Sequence, residues 1–326
     1  MQKSNITSIA KEAGVSPATV SRFLSGSASV SQTKKDLIER AIEKCDYSLP
    51  KKGRSGRPRG EKENRQIAIY YGGSGGFDQT ESNLSRKFNN GVIDVLNENN
   101  YDVIIIVDSE NRHQNLIKNN QVSALIIRNM SPETLLNRGY KLPMISVFEN
   151  NDIEDSTFQI DRIEPDNFIA SKQTVHYLLN KKCKSVLCLE SDNQIAKLRN
   201  SLLQLQLQAT QITYETINTA KQDLESIIKS DLIKNYDALF LPFEYANPLE
   251  LRLYLSEAKI ELGKQLQLVT YSNYKEQCDV EGFLCIDIQP YEIGRAAGHQ
   301  LLWRLQNQNE SSKRVSIPTQ ALSISS

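Results

Sequence analysis

From Gln66 onward, short aliphatic runs alternate with helix-length amphipathic stretches, and this alternation constrains the fold more than any other feature. The runs are Ile67–Tyr71, Val103–Val107, Ala124–Ile127, Met144–Phe148, Ser185–Leu189, Ala238–Leu241, Gln267–Tyr271 and Phe283–Ile286. Continuous apolar strands are buried on both faces, as in parallel sheets covered by helices. The covering segments are Leu84–Asn99, Asn167–Asn180, Pro248–Lys259 and Pro290–Gln306. Eight such strands predict two doubly wound lobes with a cleft along their carboxyl edges.

The first 65 residues do not share this pattern and differ in charge. Of 39 basic and 39 acidic residues, 14 and 7 respectively fall in residues 1–65. A basic head on an acidic body points to a polyanion partner for the head.

Within the head three short helices are expected. The first spans Ser8 to Ala13, with Thr7 as its cap and Gly14 as its stop. The second restarts at Ser16-Pro17, a good cap followed by a proline whose missing N–H costs nothing there. The third runs from the cap Ser31 to Lys44. On the second helix Val20 and Leu24 face inward. Pro17, Ala18, Ser21, Arg22 and Ser25 form the opposite stripe, small and polar apart from one long cation. Such a surface suits entry into a major groove, where a guanidinium can donate twice to guanine. Hydroxyls at helix starts (Ser16, Thr19, Ser21, Ser31, Thr33) suit phosphate.

The stretch Ile6-Thr7-Ser8-Ile9-Ala10-Lys11-Glu12-Ala13-Gly14-Val15-Ser16-Pro17-Ala18-Thr19-Val20-Ser21-Arg22, continuing to Tyr47, resembles the DNA-binding head of the lactose-repressor (LacI/GalR) family. The resemblance implies that Pro17, Ala18 and Arg22 face bases. It places Thr19, Ser21, Ser31, Thr33 and Tyr47 near the phosphate backbone. It implies the fold of a periplasmic sugar-binding protein for the body, and homodimerisation through the lobes.

The linker departs from that family. Its members carry a hinge helix here, but three glycines and Pro58 within residues 50–60 oppose any helix. Lys51–Gly60 has five cations and no acid, and Gly56-Arg57-Pro58-Arg59-Gly60 resembles an AT-hook. Arg54, Arg57, Pro58 and Arg59 are therefore expected to lie in the minor groove of A·T-rich DNA. The alternative is a flexible basic linker that only neutralises phosphate.

In the body the resemblance is weaker, and it carries the pocket over only in part. The aspartate of sugar-binding members corresponds to Phe148, followed by Glu149. A later acidic position corresponds to Pro242-Phe243-Glu244, and an acidic pair to Ser272-Asn273. Arg199 and Gln289 match pocket positions, although the glycine expected after Arg199 is Leu202. Diols favour carboxylate acceptors, so a typical neutral sugar is not the expected effector. Arg128, Arg199, Ser272 and Asn273 favour an anionic or amide-rich ligand. Alternatively Phe148 and Phe243 fill the cleft and nothing small binds.

The expected organisation is a small all-α helix-turn-helix head (residues 1–48), a basic linker (49–65) and an α/β periplasmic-binding-protein-like body (66–326) of two doubly wound parallel-sheet lobes. One lobe takes residues 66–165 and 289–310, the other 166–288 and 311–326. The expected function is regulation, in the first instance repression, at a near-palindromic operator bound as a dimer. A solute-binding protein is the alternative.

No G-x-S-x-G, P-loop or metal-ligand spacing appears, so neither an enzyme nor a cofactor or metal is expected. The glycine run Gly72–Gly76 lacks the dinucleotide spacing and reads as a cleft-edge loop. Five scattered cysteines read as reduced core residues. Met1–Asn5 lacks a secretory apolar stretch and no run approaches a membrane span, so a cytoplasmic protein is expected.

Overall fold

The computed structural model describes residues 6–24, 30–45, 65–72, 82–108, 121–148, 160–219, 223–243, 248–271 and 280–323. The chain divides into two compact units, residues 1–62 and 63–326.

The first unit contains α1 (Ile6–Glu12), α2 (Pro17–Leu24) and α3 (Gln32–Lys44). Helix α1 starts before Ser8, so Thr7 lies inside it and does not cap it. Its end follows from Gly14, whose φ of +61° a residue with a Cβ rarely adopts. The Val15 N–H then donates to the Ala10 carbonyl at 3.0 Å, closing a Schellman turn. Ser16 caps α2, its Oγ accepting from the Thr19 N–H at 3.2 Å. Ser31 makes no side-chain cap; its carbonyl alone starts α3, accepting from Lys34 and Lys35. Ile9, Ala10, Ala13, Val20, Ile38 and Ala41 form the buried core of this unit.

The second unit holds two six-stranded sheets. The first contains β1 (Gln66–Tyr71), β2 (Asp102–Val107), β3 (Ala124–Arg128), β4 (Met144–Val147), β5 (Asp161–Pro165) and β11 (Arg314–Ile317), ordered β11-β5-β4-β3-β1-β2. The second contains β6 (Ser185–Glu190), β7 (Thr213–Asn218), β8 (Ala238–Leu241), β9 (Gln267–Tyr271), β10 (Phe283–Asp287) and β12 (Gln320–Leu322), ordered β12-β10-β9-β8-β6-β7. All pairings are parallel except that of β12 with β10.

Both sheets wind alike. The first strand lies inside, the second goes to one edge, and the next three build outward on the other side. The strand order therefore reverses between β1 and β3, and again between β6 and β8, where open α/β sheets bind ligands at their carboxyl ends.

Residues 311–326, expected wholly in the second lobe, are divided. Arg314–Ile317 pairs with Asp161–Pro165 in the first sheet, and only Gln320–Leu322 joins the second. Strand β11 is exposed on alternate residues and bears Arg314 and Ser316, so it lacks the apolar run that marks a central strand.

Helix α4 (Asn83–Glu98) packs on α10 (Pro290–Gln306) over the first sheet. Their backbones meet at glycines: a Cβ on Gly91 would stand 2.1 Å from the Tyr291 carbonyl oxygen, and one on Gly294 2.2 Å from that of Phe88. Below them Arg304 holds Asp161, with Nη2 to Oδ1 at 2.6 Å and Nε to Oδ2 at 3.0 Å. Gln300 and the Lys313 N–H complete the carboxylate's shell at 2.8 and 2.7 Å. Burial works to raise the Asp161 carboxyl, but these donors outweigh it and hold the group below the ordinary carboxylate range.

Among the described residues one cysteine departs from the sequence reading. Cys285 is disulfide-bonded, whereas Cys45, Cys183 and Cys188 are free thiols. Among the described residues no helix is long and apolar enough to cross a membrane.

Candidate functional site

The head presents the stripe on α2 outward. Ser16, Pro17, Ala18, Ser21 and Arg22 are all exposed, and Thr19 is half-buried. Val20 is wholly buried and Leu24 packs on the core behind it, so the helix cannot turn this face inward without exposing its apolar side. Ser16 and Thr19 hydroxyls hydrogen-bond each other at 2.8 Å. Ser31 and Thr33 are exposed at the start of α3. The result is a shallow surface from which Arg22 is the longest projection. Tyr47, Arg54, Arg57, Pro58 and Arg59 lie outside the described residues.

In the body the two switch points each carry a buried arginine. Arg128 ends β3 and pairs in register with Tyr71, the last residue of β1. Its Nη1 donates to the Tyr71 hydroxyl at 2.9 Å and to the Ser85 hydroxyl at 3.1 Å. Tyr71 in turn donates to Asn89 Oδ1 at 2.8 Å. Three rings surround the guanidinium, with centroids at 5.0 Å (Tyr71), 4.7 Å (Phe88) and 4.7 Å (Phe148). Among the described residues Arg128 Nε has no hydrogen-bond partner.

Arg199 projects from α7 (Gln194–Leu207) in the second lobe. Its Nε donates to Asn167 Oδ1 and its Nη1 to the Pro242 carbonyl, both at 2.9 Å. The guanidinium stacks 3.6 Å from the centroid of Tyr271, the last residue of β9. Arg128 and Arg199 are 4% and 5% exposed, so both charges are almost fully desolvated. Burial pushes both guanidiniums down from their ordinary value, and only Tyr71 or Tyr271 acts in the opposite direction. Among the described residues neither has a carboxylate partner, in contrast to Arg304.

Phe148 lies between the lobes. It packs against the first lobe's core and also against the second lobe's cluster, which includes Tyr271. Its φ of +62° is unusual for a bulky side chain and sits beside the Arg128 guanidinium.

The remaining cleft candidates do not all converge. Phe243 is exposed. Gln289, at φ +54°, donates its amide to the Pro318 carbonyl and accepts from Gln320 Nε2 at 3.0 Å, so its side chain is engaged in the crossover between lobes. It lines a hollow of about 330 Å³ with Lys87, Asp287 and Tyr291. Glu244, Ser272, Asn273 and most of the glycine run lie outside the described residues. Sequence reasoning missed Tyr71, Phe88, Tyr271 and Asn167 as partners of the arginines. Their one signal was position, since Tyr71 and Tyr271 each end an apolar strand.

Comparison with known proteins gives the head a family. Residues 5–49 match the family described as bacterial regulatory proteins, lacI family. A curated relative, the HTH-type transcriptional regulator RegA of Clostridium acetobutylicum, is 29% identical over 185 residues, 54% of this chain. That match spans 52% of the relative, about half its length. Among solved structures, a transcriptional regulator CelR–cellobiose complex superposes with a TM-score of 0.63 at 16% identity, covering 98% of each chain. The lac repressor dimer bound to operator and the anti-inducer ONPF gives a TM-score of 0.63, 16% identity and the same coverage. A transcription regulator-like protein from Staphylococcus haemolyticus gives 0.65 at 17% identity, over 80% of this chain and 97% of that one. The two-lobed α/β fold is thus that of periplasmic-binding-protein-like repressors.

Proposed function

We propose that this chain, whose residues 5–49 match the lacI family of bacterial regulatory proteins, is a transcription regulator that binds a near-palindromic operator as a dimer. Repression is the expected sign, and occupancy of the interlobe cleft shifts DNA affinity. The observation that carries the reading is the exposed stripe Pro17-Ala18-Ser21-Arg22 on α2, held outward by buried Val20. Small side chains let the helix approach base edges, and one guanidinium supplies a bidentate donor. Apolar surface for pairing is present in the body. Ile105 is exposed on edge strand β2, as are Leu249 and Leu253, one turn apart on α9 (Pro248–Glu257).

The basic segment Lys51–Gly60 replaces a hinge helix in this reading, with Arg57 and Arg59 in an A·T-rich minor groove at the operator centre. Changing Arg57→Ala should weaken operators with A·T-rich centres more than G·C-rich ones. Equal weakening of both would reduce the segment to a phosphate-neutralising linker. The main test is fluorescence anisotropy of the full chain on its selected operator. Binding should fall steeply with salt, as released counterions require. Arg22→Ala should relax the preference at one base pair in each half-site, whereas uniform loss over all sequences would make Arg22 a phosphate contact only.

A further inference from the structure

The two body arginines occupy equivalent places in a repeated architecture. Each lies at the carboxyl edge of its own sheet, beside the point where the strand order reverses. Crevices at such points are where doubly wound sheets hold ligands. A guanidinium stays charged under any physiological condition, so neither site escapes its charge by losing a proton. Hydrogen bonds from Arg128 go only to hydroxyls, and those from Arg199 only to an amide and a carbonyl oxygen. Among the described residues these are neutral acceptors. They orient each fork without cancelling its charge, and Arg128 Nε remains unused.

The side chain expected to bring a carboxylate beside them is instead Phe148, whose ring covers Arg128 and reaches the second lobe's core. Oriented, desolvated cations on both lobes with no carboxylate partner among the described residues, and an aromatic lid in place of an acid, match an oxyanion and disfavour a neutral diol.

We propose that the interlobe cleft takes a small organic oxyanion, a phosphate ester or a carboxylate, engaged by Arg128 from one lobe and Arg199 from the other. This rests on the regulator reading for its consequence, since binding across both lobes would fix their relation and so set the head's DNA affinity. Entry of the anion requires the Phe148 ring to swing off Arg128. Its left-handed backbone, unusual for such a side chain, marks the residue that would relax.

The test uses the full chain with four probes: inorganic phosphate, ribose 5-phosphate, citrate and, as the neutral control, ribose. Isothermal titration should show at least one anion binding tenfold or more tightly than ribose. Which anion binds distinguishes a phosphate ester from a carboxylate. Arg128→Met and Arg199→Met should each weaken that anion at least tenfold. Arg128→Lys and Arg199→Lys, which keep the charge but lose the fork, should fall between parent and methionine variant. Circular dichroism identifies any variant that has not folded, and the lysine forms then carry the comparison.

Silence from all three anions, binding of ribose as tight as the tightest anion, or unchanged binding in the folded variants overturns the proposal. In that outcome the three rings around Arg128 are a structural cage. Duplex binding measured on the same preparations separates the two readings. Anion binding without duplex binding sinks the regulator and spares the cleft, and the reverse sinks the cleft alone.

Discussion

The head and the body treat their arginines in opposite ways. Arg22 stands exposed on the outer face of α2, among small side chains. Arg304, Arg128 and Arg199 are buried in the body, and among the described residues only Arg304 of the three meets a carboxylate, the fully enclosed Asp161. An exposed cation costs the fold almost nothing to hold, so its value lies in what it touches when a partner arrives. A buried cation must be compensated within the fold, and where that compensation falls short the residue marks either strain or an absent ligand. The same side chain is therefore a reading device in one unit, a brace in the second, and a candidate receptor at the cleft.

The largest expected effect breaks the brace. Asp161→Ala should destabilise the body by about 3–5 kcal/mol, because Arg304 would be left buried without its anion. Chemical denaturation measures this, and a loss under 1 kcal/mol would remove the contrast between Arg304 and the cleft arginines. The pH dependence follows the same pair. Asp161 is held below its unfolded value, so its contribution is complete above the ordinary carboxylate range and is lost as pH falls through the depressed one. Parent stability should drop on acidification in that window, and Asp161→Asn should show less of the drop.

Next in size is Arg22→Ala, at about 1–3 kcal/mol of operator affinity. A change under about 0.5 kcal/mol on the matching operator would remove Arg22 from the base-reading face. Arg128→Met should leave stability within about 1 kcal/mol of the parent or raise it, since removing an uncompensated charge offsets the lost ring contacts. A loss comparable to Asp161→Ala would place Arg128 with Arg304 instead. A further change concerns the head alone: Gly14→Ala should cost about 1–2 kcal/mol through the left-handed turn, with no clash to relieve. Thermal unfolding of the head's transition reads it.

How legible these regions were differs for the same reason. The head's helices, its turn at Gly14 and its outward stripe are local, each set by residues within a few positions, and the family pattern falls on them. In the body the eight apolar strands were visible as runs, but Asp161–Pro165 and Arg314–Ile317 were not, because charged and proline residues interrupt them. The last segment's place was lost with them, since its strand pairs with one 150 residues earlier in the chain. At the cleft, Arg199 and Phe148 were named from alignment to a pattern. The ring cage around Arg128 depends on residues from three separate elements, and no spacing announces it.

The most direct test of the regulator itself is selection of duplexes by the full chain from a pool with randomised centres and flanks, at moderate ionic strength. Paired half-sites about an A·T-rich middle should be enriched, and the Arg22→Ala chain should lose that enrichment. Recovery of duplexes with no sequence in common would contradict it.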